Sequence, residues 1–293
     1  MSRIAKVQAA TPGLEVKSLL KPLNRHCSDF CTILEYADQM VWTNVAEWLH
    51  VAASVKSVEV DTIQYDEGFG WCSHADEFAM SQETLLSEFV AQLTVFSFVW
   101  GGLESALPRL NIPSHPDKSK RGKIADACRH ISWHYTTRIE ILQYHDEVSL
   151  FRAALADCHG YDKIVTRFGA VSEIGISGLG LYAVYVLRNQ FAHGSLAFPF
   201  PDEENRPISG HGKLIAHATR IVLLSLQMLF EIYYKSSKRI IEFSWNSDFN
   251  REKYDVSALM RSFHMVRRNE PSQLGLFRRN QDGQGFDIVD QTE

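Results

Sequence analysis

Between Ser81 and Pro108, the residues Leu86, Phe89, Leu93, Phe96, Trp100, Leu103 and Leu107 recur at steps of three and four. That period draws one apolar stripe down a helix and does not suit a strand, whose side chains alternate faces at every residue. Ser81 fits the N-cap, Glu83 the first turn, and Pro108 stops the run. A helix this long cannot bury its stripe alone, so the rest of the chain must supply helices to pack against it.

The flanking segments point the same way. Residues 1 to about 27, around Pro12 and Pro22, read as a poorly ordered lead-in, followed by a helix over about 28–52 anchored by Trp42 and Trp48. Residues 53–66 alternate small or apolar with polar side chains, and Gly68 and Gly70 follow, which predicts a small β-hairpin. Residues 111–123, with Lys118, Lys120, Arg121 and Lys123 among turn formers, predict an exposed loop. Helices are expected over about 123–147 and 149–157. Residues 178–193 read as a further helix, apolar nearly all round and hence central, with Gly194 as its stop. A loop over 198–212 leads into a long helix over about 212–236, whose inner face is Leu214, Ala218, Ile221, Ser225, Met228, Leu229 and Ile232. One more helix is expected over 254–266, and a disordered tail from about 270. The sum is a mainly α chain: a four-to-five-helix bundle with a small N-terminal α+β extension. The expected domains are an extension over 1–80, a helical domain over 81–245, and a helix with a basic tail over 246–293.

Composition narrows the chemistry. A net charge of −5 gives no global attraction to nucleic acid, so any such contact needs a local basic patch. Lys118, Lys120 and Arg121 form one candidate, and Arg267 with Arg268 another, within a stretch from Lys238 to Arg279 that holds nine Lys or Arg against five Asp or Glu. The five cysteines form no CxxC pair and suit reduced thiols. The N-terminus does not read as a signal peptide, and no uninterrupted apolar run reaches the roughly 20 residues of a membrane helix. A cytoplasmic protein without a membrane partner is expected. A di-iron bundle needs two Glu-x-x-His motifs, and only Glu47 with His50 provides one. His130 and His134 share a helix face with no carboxylate to complete a zinc motif and read as surface residues. No metal or cofactor is expected.

Arginine followed at five to seven positions by histidine recurs along the chain, as in Arg129/His134, Arg138/His145, Arg152/His159, Arg188/His193 and Arg206/His211. So loose a spacing recurs by chance, and context has to choose. Only Arg188 ends an unbroken apolar run, Leu181 to Leu187, and only there does a polar Asn189 follow and a Gly194 close the helix after the histidine. A helix that ends at this point would let His193 swing back toward Arg188. Glu104, beside the stripe of the long helix, could pair with Arg188 or sit on the solvated face.

Arg188-Asn189-x-x-x-His193-Gly194 after a buried helix resembles the signature of the HEPN superfamily, over roughly residues 81–236. The resemblance implies a helical domain that dimerises so that two motifs face each other, and metal-independent RNA cleavage of the toxin or anti-phage type. Attack by the 2′-OH would leave a cyclic phosphate. His193 would be the general acid or base, Arg188 the phosphate clamp and Asn189 an orienting group. An antitoxin or defence-system partner would follow. The alternative is a catalytically silent helical module that binds RNA or a protein, with Arg188 capping the helix end and His193 satisfied in the core.

Overall fold

The computed structural model describes residues 20–65, 67–135, 141–158, 174–195, 198–202, 210–244 and 251–266. Among them the chain is mainly α, with seven helices and one two-stranded sheet. In order these are α1 (Leu23–Ser54), α2 (Ser73–Ala106), α3 (Lys123–His134), α4 (Tyr144–Asp157), α5 (Ile176–Ala192), α6 (Gly210–Ser237), β1 (Ile240–Phe243), β2 (Glu252–Asp255) and α7 (Val256–Met260).

The central helix is α6, not α5. From Leu214 to Ile232 almost every residue of α6 is buried, and α1, α2, α3, α4, α5 and α7 all pack against it. Helix α5 buries Leu181, Ala183, Val184 and Leu187 but leaves Tyr182, Tyr185, Asn189 and Gln190 half-exposed. Its sequence looked apolar all round because tyrosine counts as apolar in a periodicity reading, whereas a tyrosine keeps its hydroxyl wet at a surface. By length and composition α2, with the turn after it, and α6 could each cross a membrane. The apolar stretch of α6 is 83% buried inside the protein, as a core helix is, against 39% for α2.

Several expected boundaries move. Helix α1 begins at Leu23, and His26, Cys27 and Phe30, assigned partly to a lead-in, lie fully buried in the core. The expected hairpin, with its first strand over 53–66 and a second after Gly70, is absent among the described residues. Val60 N–H donates to Ser87 Oγ at 3.1 Å, and Asp61 Oδ1 accepts from Ile63 and Gln64 N–H at 3.1 and 2.8 Å. Side chains therefore take the backbone groups a ladder would need, and α2 starts at Ser73, leaving no second strand. The sheet instead lies between α6 and α7, with Ile240 opposite Asp255 and Phe243 opposite Glu252 in antiparallel register. Asp255 caps α7 by accepting from Ala258 N–H at 2.8 Å, so the helix expected over 254–266 shrinks to Val256–Met260. The helix expected over 123–147 ends at His134, and a new one starts at Tyr144 behind Gln143, whose φ of 67° breaks the helical path. The expected tail from 270 lies outside the described residues.

Two local features hold the bundle's geometry. Helix α1 breaks at Asp38 (φ −166°, ψ 85°), and arginines from elsewhere take the nearby carbonyls: Arg239 Nε donates to Ala37 O at 2.9 Å and Arg109 Nη1 to Val41 O at 2.8 Å. At the start of α5, Gly178 N–H donates to Ser132 Oγ at 2.8 Å, so α3 and α5 meet backbone to side chain. A Cβ on Gly178 would lie 2.3 Å from the carbonyl oxygen of Cys128. Gly178→Ala is therefore expected to destabilise the fold by about 3 kcal/mol. Gly122→Ala, whose Cβ would meet only Ala125 Cβ at 3.8 Å, is the control. Urea denaturation of the two variants checks this, and equal midpoints would show that α3 and α5 do not approach so closely.

Candidate functional site

The end of α5 is built as a glycine stop. Gly194 takes φ +64°. His193 N–H donates to Asn189 O at 3.0 Å, Gly194 N–H to Phe191 O at 3.1 Å and Ser195 N–H to Gln190 O at 2.9 Å. These last two bonds satisfy helix-end carbonyls and fix the path of residues 193–195. His193 sits at the C-cap, exposed, on a backbone held from both sides.

Arg188 is held by α2. Its guanidinium lies over the Trp100 ring at 5.9 Å from the centroid and 3.8 Å from Glu104 Oε1. The Trp100 indole N–H donates to the same Oε1 at 2.7 Å, and Tyr185 lies nearly parallel to Trp100, 6.3 Å away at 13°. Glu104 therefore bonds Trp100 closely and Arg188 loosely. With its side chain 37% exposed, Arg188 is oriented by an aromatic face and a carboxylate while keeping donors turned to solvent. Trp100, a member of the apolar stripe of α2, is only 4% exposed and also presents this face to the arginine.

His193 and Asn189 lie elsewhere on the helix. With Tyr182, Tyr185, Val186, Gln190 and Ser195 they line a groove of about 220 Å³ that does not include Arg188. The expected swing of His193 toward Arg188 does not occur. The N–H of His193 still bonds Asn189 O, so the residue keeps helical register, and residues five apart on a helix point about 140° from each other. Within one chain, then, the two halves of the motif face different directions.

Of the four other pairs named above, Arg129/His134 alone lies wholly within the described residues, and Arg129 is committed to Asp126 and to Lys120 O. In the exposed basic loop, Lys118 and Lys120 belong to a single 3-10 turn. Arg121 is turned onto its own backbone, donating to His115 O at 2.7 Å and Pro116 O at 3.2 Å. Arg267 and Arg268 lie outside the described residues. Glu47 and His50 are exposed, and no group of three His, Cys, Asp or Glu among the described residues is disposed to hold a metal. His130 is not a surface residue as expected. It is half-buried against the His134 ring, 4.6 Å between centroids, and burial, with His134 second, pushes its pKa down to about 4.

A dense buried polar constellation among the described residues was not visible in the sequence. Arg220 Nη1 donates to His26 Nδ1 at 2.7 Å and Nη2 to Lys21 O at 2.6 Å. An arginine cannot accept, so the His26 proton lies on Nε2, which donates to Gln227 Oε1 at 2.7 Å. Gln227 Nε2 then donates to Met260 O at 2.7 Å and to His264 Nδ1 at 3.1 Å, and His264 Nε2 to Leu142 O at 3.0 Å. Both histidines are 0% exposed, so this relay ties α1, α6 and α7 together and does not face a substrate. Burial holds the His26 pKa well below its usual value and that of His264 at about 4.

The relay sets a pH dependence. In the unfolded chain both histidines bind a proton near 6.5, and in the folded chain they do not. Stability is therefore full above about pH 6.5 and falls as the pH drops toward 4. His264 alone, shifted to about 4, removes about 3 kcal/mol over that window. Urea denaturation at pH 7 and at pH 4.5 checks this, and an unchanged unfolding free energy would contradict it.

No family model, curated protein or solved structure matches this chain.

Proposed function

We propose that the chain is a metal-independent endoribonuclease, of the toxin or anti-phage type, that works as a homodimer in the cytoplasm. The observation that carries this reading is the placement of Arg188, half-exposed over Trp100 beside Glu104, on the helix that presents His193 at its glycine-stopped end. Arg188 clamps the scissile phosphate and stabilises charge on its equatorial oxygens. His193 takes the proton of the 2′-OH as that oxygen attacks phosphorus, and the leaving 5′-oxygen departs with a proton from a second acid. The products are a 2′,3′-cyclic phosphate and a 5′-OH. One chain offers a single His193, turned away from its own Arg188, so a second copy with its motif facing the first supplies both acid and base. Asn189 orients the bound strand, and Lys118, Lys120, Arg121, Arg267 and Arg268 track it.

The alternative, a silent helical module that binds RNA or a protein, draws on the same separation of Arg188 from His193 within one chain. The test is incubation of the purified protein with total RNA in EDTA, with the product ends mapped and the mass measured in solution. Cyclic phosphate ends from a dimer are expected. Cleavage that requires added metal, or an active monomer, would overturn the assignment, and no cleavage of any RNA would favour the module.

A further inference from the structure

The groove on α5 has a chemistry that phosphate clamping and proton transfer leave unused. Tyr182 and Tyr185 lie on its wall with ring centroids 6.1 Å apart at 49°. Tyr185 is backed by Trp100, nearly parallel at 6.3 Å, and Trp100 is pinned to Glu104 at 2.7 Å. The three rings form a row that runs from the buried Trp100 to the half-exposed Tyr182, so the outer ring rests on a fixed base. Farther along the groove, the side-chain amides of Asn189 and Gln190 have no hydrogen-bond partner among the described residues. Each amide offers both a donor and an acceptor. At about 220 Å³ the groove is smaller than the roughly 300 Å³ at which sites for drug-sized molecules begin, which suits one flat heterocycle.

The geometry points to a subsite for a single unpaired nucleobase, stacked on Tyr182 and Tyr185 and hydrogen-bonded at its edge by Asn189 and Gln190. The inference rests on RNA being the ligand, as proposed above, and adds that the bound strand is unpaired there. A planar ring gains from an aromatic face whatever its identity, and free carboxamides match the donor and acceptor edge of a base. The edge of a base in a duplex is already paired and its faces are already stacked, so a helix cannot enter. An apolar protein helix would fill the groove but leave both amides unsatisfied. Arg188, on the next face of α5 with donors free to solvent, provides the charge complement for the adjoining phosphate.

The test is fluorescence anisotropy with short labelled 2′-O-methyl RNA homopolymers, which lack the attacking hydroxyl, and with a 2′-O-methyl duplex of mixed sequence, using the full chain, Tyr182→Leu and Tyr182→Trp. Wild type is expected to bind the unpaired strands about tenfold or more tighter than the duplex. Tyr182→Leu keeps the apolar bulk but should lose that preference, and Tyr182→Trp should restore it. Equal binding of unpaired strand and duplex would overturn the subsite, as would wild-type preference in Tyr182→Leu. A change of solution mass in Tyr182→Leu would also overturn it, because the face would then be covered by a second copy. Cleavage is read separately: cutting without the Tyr182-dependent preference sinks the subsite alone. The preference without any cutting sinks the nuclease reading and leaves the subsite standing.

Discussion

Replacing His193 with alanine is expected to lower the rate of RNA cleavage in EDTA by about a hundredfold or more while leaving the melting temperature unchanged. The two halves of this result have separate causes. The imidazole is exposed at the C-cap, and the bonds that shape the turn come from backbone groups of residues 189–195, so alanine removes no structural contact. Surface changes of that kind stay within about 0.5 kcal/mol. The rate falls because no neighbouring group replaces a base positioned on the 2′-OH. Arg188→Lys makes the complementary test. It keeps a positive charge beside Glu104 but loses the flat face over Trp100 and the two-pronged grip on a phosphate. A comparable fall in rate is expected, with RNA binding weakened less than cleavage. Wild-type cleavage by His193→Ala would remove the histidine from the reaction.

Arg220→Met is expected to destabilise the fold by about 3–5 kcal/mol. Arg220 is 7% exposed and donates to both His26 Nδ1 and Lys21 O. Methionine fills much of the volume but leaves the histidine nitrogen and the carbonyl without a donor, in a place water does not reach. The surrounding polar groups are themselves paired: Lys21 with Asp29 at 2.8 Å, Arg25 with Asp29 at 2.9 Å, and His217 Nδ1 with Glu147 Oε2 at 2.8 Å. Because the relay acts as a unit, His26→Leu combined with Arg220→Met should cost well under the sum of the two single changes. Denaturant midpoints of the four proteins in that cycle check this, and simple additivity would mean the relay's members act independently.

What could be read from the sequence was local. The stripe from Leu86 to Leu107, the apolar run before Arg188, the glycine after His193 and the face from Leu214 to Ile232 are patterns of near neighbours in the chain, and the helices α2, α5 and α6 follow from them. The same rule carried a signal that went unused. Trp100 and Glu104 are four apart on α2, the spacing at which helix side chains meet, and Tyr182, Tyr185, Asn189 and His193 step by three and four along one side of α5. What escaped depends on distant partners. The break at Asp38 is stabilised by Arg109 and Arg239, which no local pattern links to it. The alternation over 53–66 was genuine, but Ser87 and Asp61 captured its backbone. His26, Arg220, Gln227 and His264 looked like scattered polar residues because only the folded chain brings them together.

That last gathering has a consequence for how the protein is made. Leu20 pairs with Met265 across an isolated antiparallel bridge, and Phe30 packs edge-on against Phe263 at 5.1 Å. His26 meets Gln227 from 201 positions away. A ribosome emits α1 first, so its apolar face waits on the order of 10 s or more for the segments that cover it. The bundle therefore closes only after synthesis has passed residue 265. A chain interrupted before α7 would carry Phe30 and the buried cations uncovered, and the cell's quality control would meet it as an unfinished product.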